Sequence, residues 1–490
     1  MQKRPKRRRS NRAAAGHPPR RPIRGAKWIL GGAISLGLLI CVMLFLYLKD
    51  DPTAESPRPA QRETETFSPP TRLYHVIVPS SSDDPEALLE AQAKLVAEMR
   101  SEALALVKHL MTTFPLDENA DILQGDIYED FREDTLSVAA WKQALTKNPR
   151  RSEVYEKLGR VAAAQGNQEQ ALAYWNQGLQ TNANTPNLRW LIANVYHIRG
   201  EPAPAADLLL QECMLSPPAA RNYFLLGQCY RQLQQFEQAA VNYQKALEIS
   251  PDYYNAYYGL AHVCRLTKQM DRAKEALEKF RALKQRADAS EDRQIPIEEI
   301  TQTRKGLAAY YIKAYKLYLR HQKIRSGEPL LERAVAIAPD WPFCLEKLAA
   351  HHYRLERPAE AMKLYRQAQH LDPNQPMYAV NIGTLYRQLG QYDRAEETFK
   401  QVIGRFPSYS PGYRELVNLN LKTGKHLKET LSLAQKAVQL KGSADHYYTL
   451  SKVHHVNGNG QAALSAIEKA IRLDPDDPKY RSFDAIIRRH

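Results

Sequence analysis

"LLGQCYRQLQQFEQAAVNYQKALEISPD", Leu225–Asp252, decides the fold. Its small residues, Gly227, Ala239 and Ala246, and its large apolar ones, Leu226, Tyr230 and Tyr243, recur at helical spacing on either side of Gln234 and Gln235. That spacing places each set on one face of a short helix, and Pro251 stops the second helix because proline cannot continue one. The stretch is therefore a pair of amphipathic helices joined by a turn.

The pattern returns along the chain. Gly227 to Ala261 and Ala239 to Ala273 span the same interval. The same frame begins near Glu118, Ser152, Pro186, Ala220 and Tyr254, and resumes near Ala308, Pro342, Pro376, Ser410 and Ala444. A fixed period of about 34 residues is the signature of stacked helical hairpins. Gly159, Gly227 and Gly383 occupy the close crossing inside a hairpin. Tyr243, Tyr365 and Phe399 fill gaps between hairpins, and Pro149, Pro251, Pro339, Pro373, Pro407 and Pro475 close the second helices. "YEKLGRVAAAQGNQEQALAYWNQGL" and "YAVNIGTLYRQLGQYDRAEETFKQVIGRFP" carry the same set, and in this the chain strongly resembles the tetratricopeptide-repeat family.

The resemblance implies an all-α, right-handed superhelical solenoid. Ten repeats are visible, with Glu118–Arg151, Ala308–Trp341 and Ser410–Ser443 degenerate; the last slips by a single position in its second helix. "PEALLEAQAKLVAEMRSEALALVKHLMTTFP" is expected to be a divergent eleventh hairpin, because its Pro115 stands one full period before Pro149. Residues 84–287 and 308–477 form the two halves of the array. The polar insertion 288–307 is a hinge or a plain helix extension, and 478–490 is an end helix covering the last apolar face.

The formal net charge of the 490-residue chain is +15. Residues 1–27 hold 11 of the 69 Lys and Arg and no acid, which leaves 58 basic against 54 acidic residues beyond them. The basicity is a cytoplasmic tail, and no nucleic-acid partner is expected. Trp28–Leu48 carries no charge along its whole length. At about 1.5 Å per residue it reaches about 31 Å, enough to cross a bilayer core. It reads as an uncleaved transmembrane helix. The excess of cations before it places the N-terminus in the cytoplasm and the array outside, in the periplasm if the source is bacterial, which the absence of an N-x-[ST] sequon favours. Residues 49–83, rich in Pro, Ser and Thr, form a linker.

The five cysteines, Cys41, Cys213, Cys229, Cys264 and Cys344, form no C-x-x-C pair. Free buried thiols are expected, with a Cys229–Cys264 disulfide as the alternative. No G-x-x-x-x-G-K-[ST], H-E-x-x-H or G-x-S-x-G occurs, so neither an enzyme, a metal site nor a cofactor is expected. His351-His352 and His454-His455 diverge on a helix by about 100° and do not make a clamp; His352 and His454 take the repeat's Tyr position.

In tetratricopeptide repeats the fifth, ninth and twelfth positions of each first helix face the concave groove. The resemblance thus implies a peptide site made of Trp190, Asn194 and His197, then Phe224, Gln228 and Arg231, then Tyr258, His262 and Arg265. Rings would supply contact area and amides would satisfy a peptide backbone. The alternative is that the rings pack on neighbouring helices. The expected function is a membrane-tethered, non-catalytic scaffold binding a peptide or protein partner. The alternative is a docking subunit of a membrane enzyme or of an envelope-assembly or secretion complex.

Overall fold

The computed structural model describes residues 69–70, 85–291 and 295–489. The tail, the apolar run Trp28–Leu48, most of the linker and Cys41 lie outside the described residues. Among the described residues there are 22 α-helices and no strand. No helix among them is long and apolar enough to cross a membrane.

The ten expected hairpins are all present: α2/α3 (Glu118–Asp130, Asp134–Lys147), α4/α5 (Ser152–Ala164, Gln168–Thr181), α6/α7 (Leu188–Ile198, Pro202–Leu215), α8/α9 (Ala220–Gln232, Phe236–Ile249) and α10/α11 (Tyr254–Leu266, Met270–Glu291) in the first array; α12/α13 (Ile295–Arg320, Glu328–Ile337), α14/α15 (Pro342–Arg354, Pro358–Leu371), α16/α17 (Pro376–Gln388, Tyr392–Arg405), α18/α19 (Ser410–Thr423, Leu427–Leu440) and α20/α21 (Ala444–Val456, Gly460–Leu473) in the second. A single backbone feature marks every one of them. The fifteenth residue of each frame has a left-handed φ, between 57° and 81°. Five are glycine (Gly166, Gly200, Gly390, Gly424, Gly458); five are Arg132, Gln234, Lys268, Gln322 and Glu356. This residue reverses the chain after the first helix, and only the glycines adopt it without a Cβ penalty. The second helices α3, α9, α13, α15, α17 and α21 each stop just short of the expected proline, with one residue between.

The crossing glycines abut the large residue of the second helix. A Cβ on Gly159 would collide with the Trp175 indole, and one on Gly125 with Trp141. Tyr243 lies between Gly227 of its own hairpin and Gly259 of the next, at 2.8 and 2.6 Å from where their Cβ atoms would stand. In the Ser410 repeat the slip sits in the turn rather than inside the second helix: α19 starts a position late, after His426 in left-handed conformation, and a shorter exit loop restores the period. Cys213, Cys229, Cys264 and Cys344 are free, and burial pushes the Cys229 and Cys344 thiols up to about 12.

The stretch expected as an eleventh hairpin is one helix, α1 (Pro85–Thr113). Nothing in it breaks a helix, since it holds neither Gly nor an internal Pro. It contributes to the largest core among the described residues. Met99, Leu106 and Leu110 of α1 pack with Leu123 and Ile127 of α2, Tyr311 and Leu317 of α12, and Leu330 and Leu331 of α13. Residues 288–307 are taken up by the end of α11, residues 292–294 and the first half of α12. Beyond them α12 packs on α1 and α2 rather than on α11. Both arrays thus grow from α1, and the second does not stack on the end of the first.

Polar contacts fix that junction. The Arg333 guanidinium donates two 2.8 Å bonds to the Glu102 carboxylate, which also accepts from the Tyr311 hydroxyl at 2.7 Å. Lys313 reaches Asp126 at 2.8 Å, and Tyr310 donates to Asp130. His321 contacts Asp117 at 2.8 Å. At the C-terminus α22 (Pro478–Ile487) buries Tyr480 and Ile487 against α21 and covers its apolar face.

Candidate protein-binding surface on the first array

The first helices α6, α8 and α10 follow one another at the repeat period, so their fifth, ninth and twelfth positions come into register as rows. Positions i, i+4 and i+7 share one face of each helix. The nine expected site residues occupy these rows, but their surroundings differ along the array.

Trp190 is half-buried. The Arg221 guanidinium stands over its ring, 4.9 Å from the centroid, and its indole nitrogen is buried without a hydrogen-bond partner. Phe224 is also half-buried, edge-on to Tyr253 at 5.1 Å and tilted against Tyr243 at 5.9 Å. Tyr258 is 55% exposed, with Phe280 of α11 5.2 Å from it. The three rings are in register, yet only the last is open.

Between them, Asn194, Gln228 and His262 form the second row, and His197, Arg231 and Arg265 the third. His197 Nδ1 lies 2.9 Å from the Gln232 side-chain oxygen, and burial holds its pKa below the ordinary imidazole value. Burial also lowers the pKa of His262, with Arg231 and Arg265 adding to the effect. Both imidazoles are therefore neutral at pH 7, and the positive charge of this face belongs to the arginines. Arg231 stands near enough to Tyr243 to oppose the upward shift that burial gives its hydroxyl, and among the described residues neither Arg231 nor Arg265 pairs with a carboxylate.

Tyr258, His262 and Arg265 come together in a cavity of about 410 Å³, completed by Met270, Lys274 and Leu277 of α11. The α11 residues were missed by a reading confined to first helices. Their signal in the sequence is the break in period after Ala273: where the next hairpin fails to arrive on time, the last second helix is left without its cover.

The corresponding rows of the second array carry a different chemistry. Arg387 of α16 and Arg414 of α18 both bond Glu415, each at 3.1 Å. Arg414 and Lys479 both approach Asp445, at 3.5 and 3.0 Å. Lys452 donates to Asn418 at 2.9 Å, and burial lowers its pKa. These charges are spent on one another across helices. His351, expected to pair with His352 only in sequence, is wholly buried. Its Nδ1 is 2.9 Å from the Tyr315 hydroxyl and its Nε2 3.3 Å from Glu328, so it acts as a packing and hydrogen-bonding residue of the α12–α14 core.

Profiles described as tetratricopeptide repeat match residues 122–188, 254–280, 313–376 and 352–419, and one described as TPR repeat matches 227–264. Among curated proteins, the TPR repeat-containing protein YpiA of Bacillus subtilis is 21% identical over 357 residues, 70% of this chain and 84% of that protein. Superkiller complex protein 3 of Mus musculus is 22% identical over 371 residues, 76% of this chain and 21% of that protein. Among solved structures, yeast Tom70 aligns over 76% of this chain and 95% of its own, with 14% identity and a TM-score of 0.34.

Proposed function

We propose that this chain, a member of the tetratricopeptide-repeat family, is a membrane-tethered scaffold that holds a peptide or protein partner against α6, α8 and α10. The observation that carries the reading is the register of three adjacent first helices. They set rings, amide or imidazole groups and carboxylate-free arginines in parallel rows, where the second array spends its charges internally. An extended segment laid across the rows would meet Tyr258 as an aromatic anchor, Asn194 and Gln228 for its backbone, and Arg231 and Arg265 for its acidic groups. The tether is the uncharged run Trp28–Leu48, with the basic tail on the cytoplasmic side and the array on the other.

The test uses the full chain in mild detergent as bait. Partners captured by it are titrated against Tyr258→Ala and Arg231→Ala. Loss of an exposed aromatic anchor is expected to weaken binding by about 2 kcal/mol, roughly thirtyfold, with melting unchanged. A partner bound equally well by both variants would remove the assignment of these rows. Deletion of residues 28–48 should move the protein from the membrane to the soluble fraction, and protease added to the outer face of the anchoring membrane, in spheroplasts where an outer membrane surrounds it, should reach the array.

A further inference from the structure

Within the first array each second helix, together with its own first helix, makes a seat that the first helix of the next hairpin fills. The seat on α8/α9, built on Ala239, Tyr243 and Ala246, is covered by α10. The equivalent seat on α10/α11, built on Ala273, Leu277 and Phe280, has no such cover among the described residues, because α12 packs on α1 and α2 instead. The consequence shows in the side chains. Phe224 and Phe236 of the preceding hairpin are partly buried, whereas their equivalents Tyr258 and Met270 are 55% and 62% exposed.

We propose that this seat is a second docking surface, and that it takes one amphipathic helix of a partner protein whose apolar stripe is flanked by carboxylates. The shape follows from the repeat: the same pair of helix faces, one period earlier, holds an α-helix. The charge follows from the rim. The cavity lining contains two cations, Arg265 and Lys274, and no carboxylate, and neither cation has an acidic partner among the described residues. The ion pair that the described residues of α11 do form, Glu275 with Lys279, lies further round the helix. The same charge argues against a second copy as occupant, since two such seats face to face would bring Arg265 and Lys274 of both copies together without a counter-charge. The proposal rests on the protein-binding role above but uses α11, which the rows of α6 and α8 do not.

The test uses the full chain in mild detergent and two stapled, fluorescein-labelled helical peptides of about four turns. Both carry an Ala/Leu/Tyr stripe at i, i+4, i+7; one is flanked by Glu, its twin by Lys. Fluorescence polarisation should show saturable binding of the Glu peptide, with the Lys twin at least about tenfold weaker. Lys274→Glu with Arg265→Glu, on an exposed rim that does not support the fold, should invert that preference. Leu277→Asp should abolish binding of both peptides, while Asn194→Ala and Gln228→Ala, which lie in the rows and off the seat, should leave it unchanged. That last pair separates failure of this seat from failure of the rows. No binding of either peptide, equal binding of the two, or a preference untouched by the rim variant would overturn the proposal. So would a dimer dissolved by Leu277→Asp, which would make a second copy the occupant. Binding seen only after deletion of residues 49–83 would overturn it too, in favour of the chain's own linker.

Discussion

Replacing Glu102 by alanine is the sharpest test of the junction from which both arrays grow. Glu102 lies in α1, Arg333 in α13 and Tyr311 in α12, so a single carboxylate joins three helices. Both charged side chains are only 3% exposed. In Glu102→Ala the guanidinium stays buried but loses the carboxylate that accepts both of its 2.8 Å bonds, and the Tyr311 hydroxyl loses that same acceptor. Breaking one side of a buried pair costs about 3–5 kcal/mol. Glu102→Gln keeps the volume and still accepts hydrogen bonds, and should cost about 1–3 kcal/mol. Glu102→Leu with Arg333→Met removes both charges and should be close to neutral, because the desolvation penalty disappears with the attraction. Since stacked hairpins contact mainly their neighbours, the loss should stay local. Amide exchange in Glu102→Ala should accelerate in α1 and α12 while α16 to α21 keep their protection. Urea unfolding supplies the free energies, and exchange read by mass spectrometry supplies the location. A cost below about 1 kcal/mol would show an ion pair no stronger than a surface one and refute the argument. A double variant costing the sum of the two singles would refute it as well.

Gly159→Ala should cost about 1–3 kcal/mol in thermal unfolding, because its Cβ displaces the Trp175 indole and breaks the 3.1 Å bond from that indole to the Glu156 carbonyl. Gln234→Gly, Lys268→Gly and Glu356→Gly should each raise stability by up to about 1 kcal/mol, since each removes a Cβ from a left-handed turn; no gain in any of the three would contradict the strain. His446 is buried, and burial with Arg414 and Lys441 nearby depresses its pKa to about 4. Between pH 6.5 and 4 the unfolded chain takes up a proton that the folded one refuses. Stability from this group is therefore intact at pH 7 and falls with acidification by up to about 3 kcal/mol, and His446→Gln should remove that part of the slope in a pH series of melts.

The hairpins were legible because the period is written in residues whose roles are local. Gly227, Ala239 and Tyr243 identify a crossing between two helices close in sequence, and Pro251 its end. Even the degenerate Glu118 repeat keeps Gly125 against Trp141 and a left-handed Arg132. The eleventh hairpin failed for an equally local reason: spacing from Pro115 fixed where α1 ends, but Pro85–Thr113 holds no residue able to turn the chain. The groove positions were legible from the same frame; their covers were not. Trp190 lies under Arg221, which the following hairpin supplies. Tyr258 is open because its following hairpin is elsewhere.

That placement could not be read from the period, because a repeat records only which face a helix offers to a neighbour. The C-terminal half of α1 stands one period before α3, in the place a second helix would take, so α1 and α11 both offer α12 a seat. What chooses between them is the composition of α12 itself. An ordinary first helix buries one stripe; α12 buries Tyr310, Tyr311, Ile312, Tyr315, Leu317 and Tyr318, which together span more than half of its circumference. Seated on α11 alone, it would cover one stripe and leave the rest in water, at about 1.5–3 kcal/mol for each large side chain left exposed. Between α1, α2 and α13 all of them are covered. The choice leaves the seat on α10/α11 without the next first helix among the described residues, so the packing that joins the two arrays is also what leaves Tyr258 and Met270 exposed.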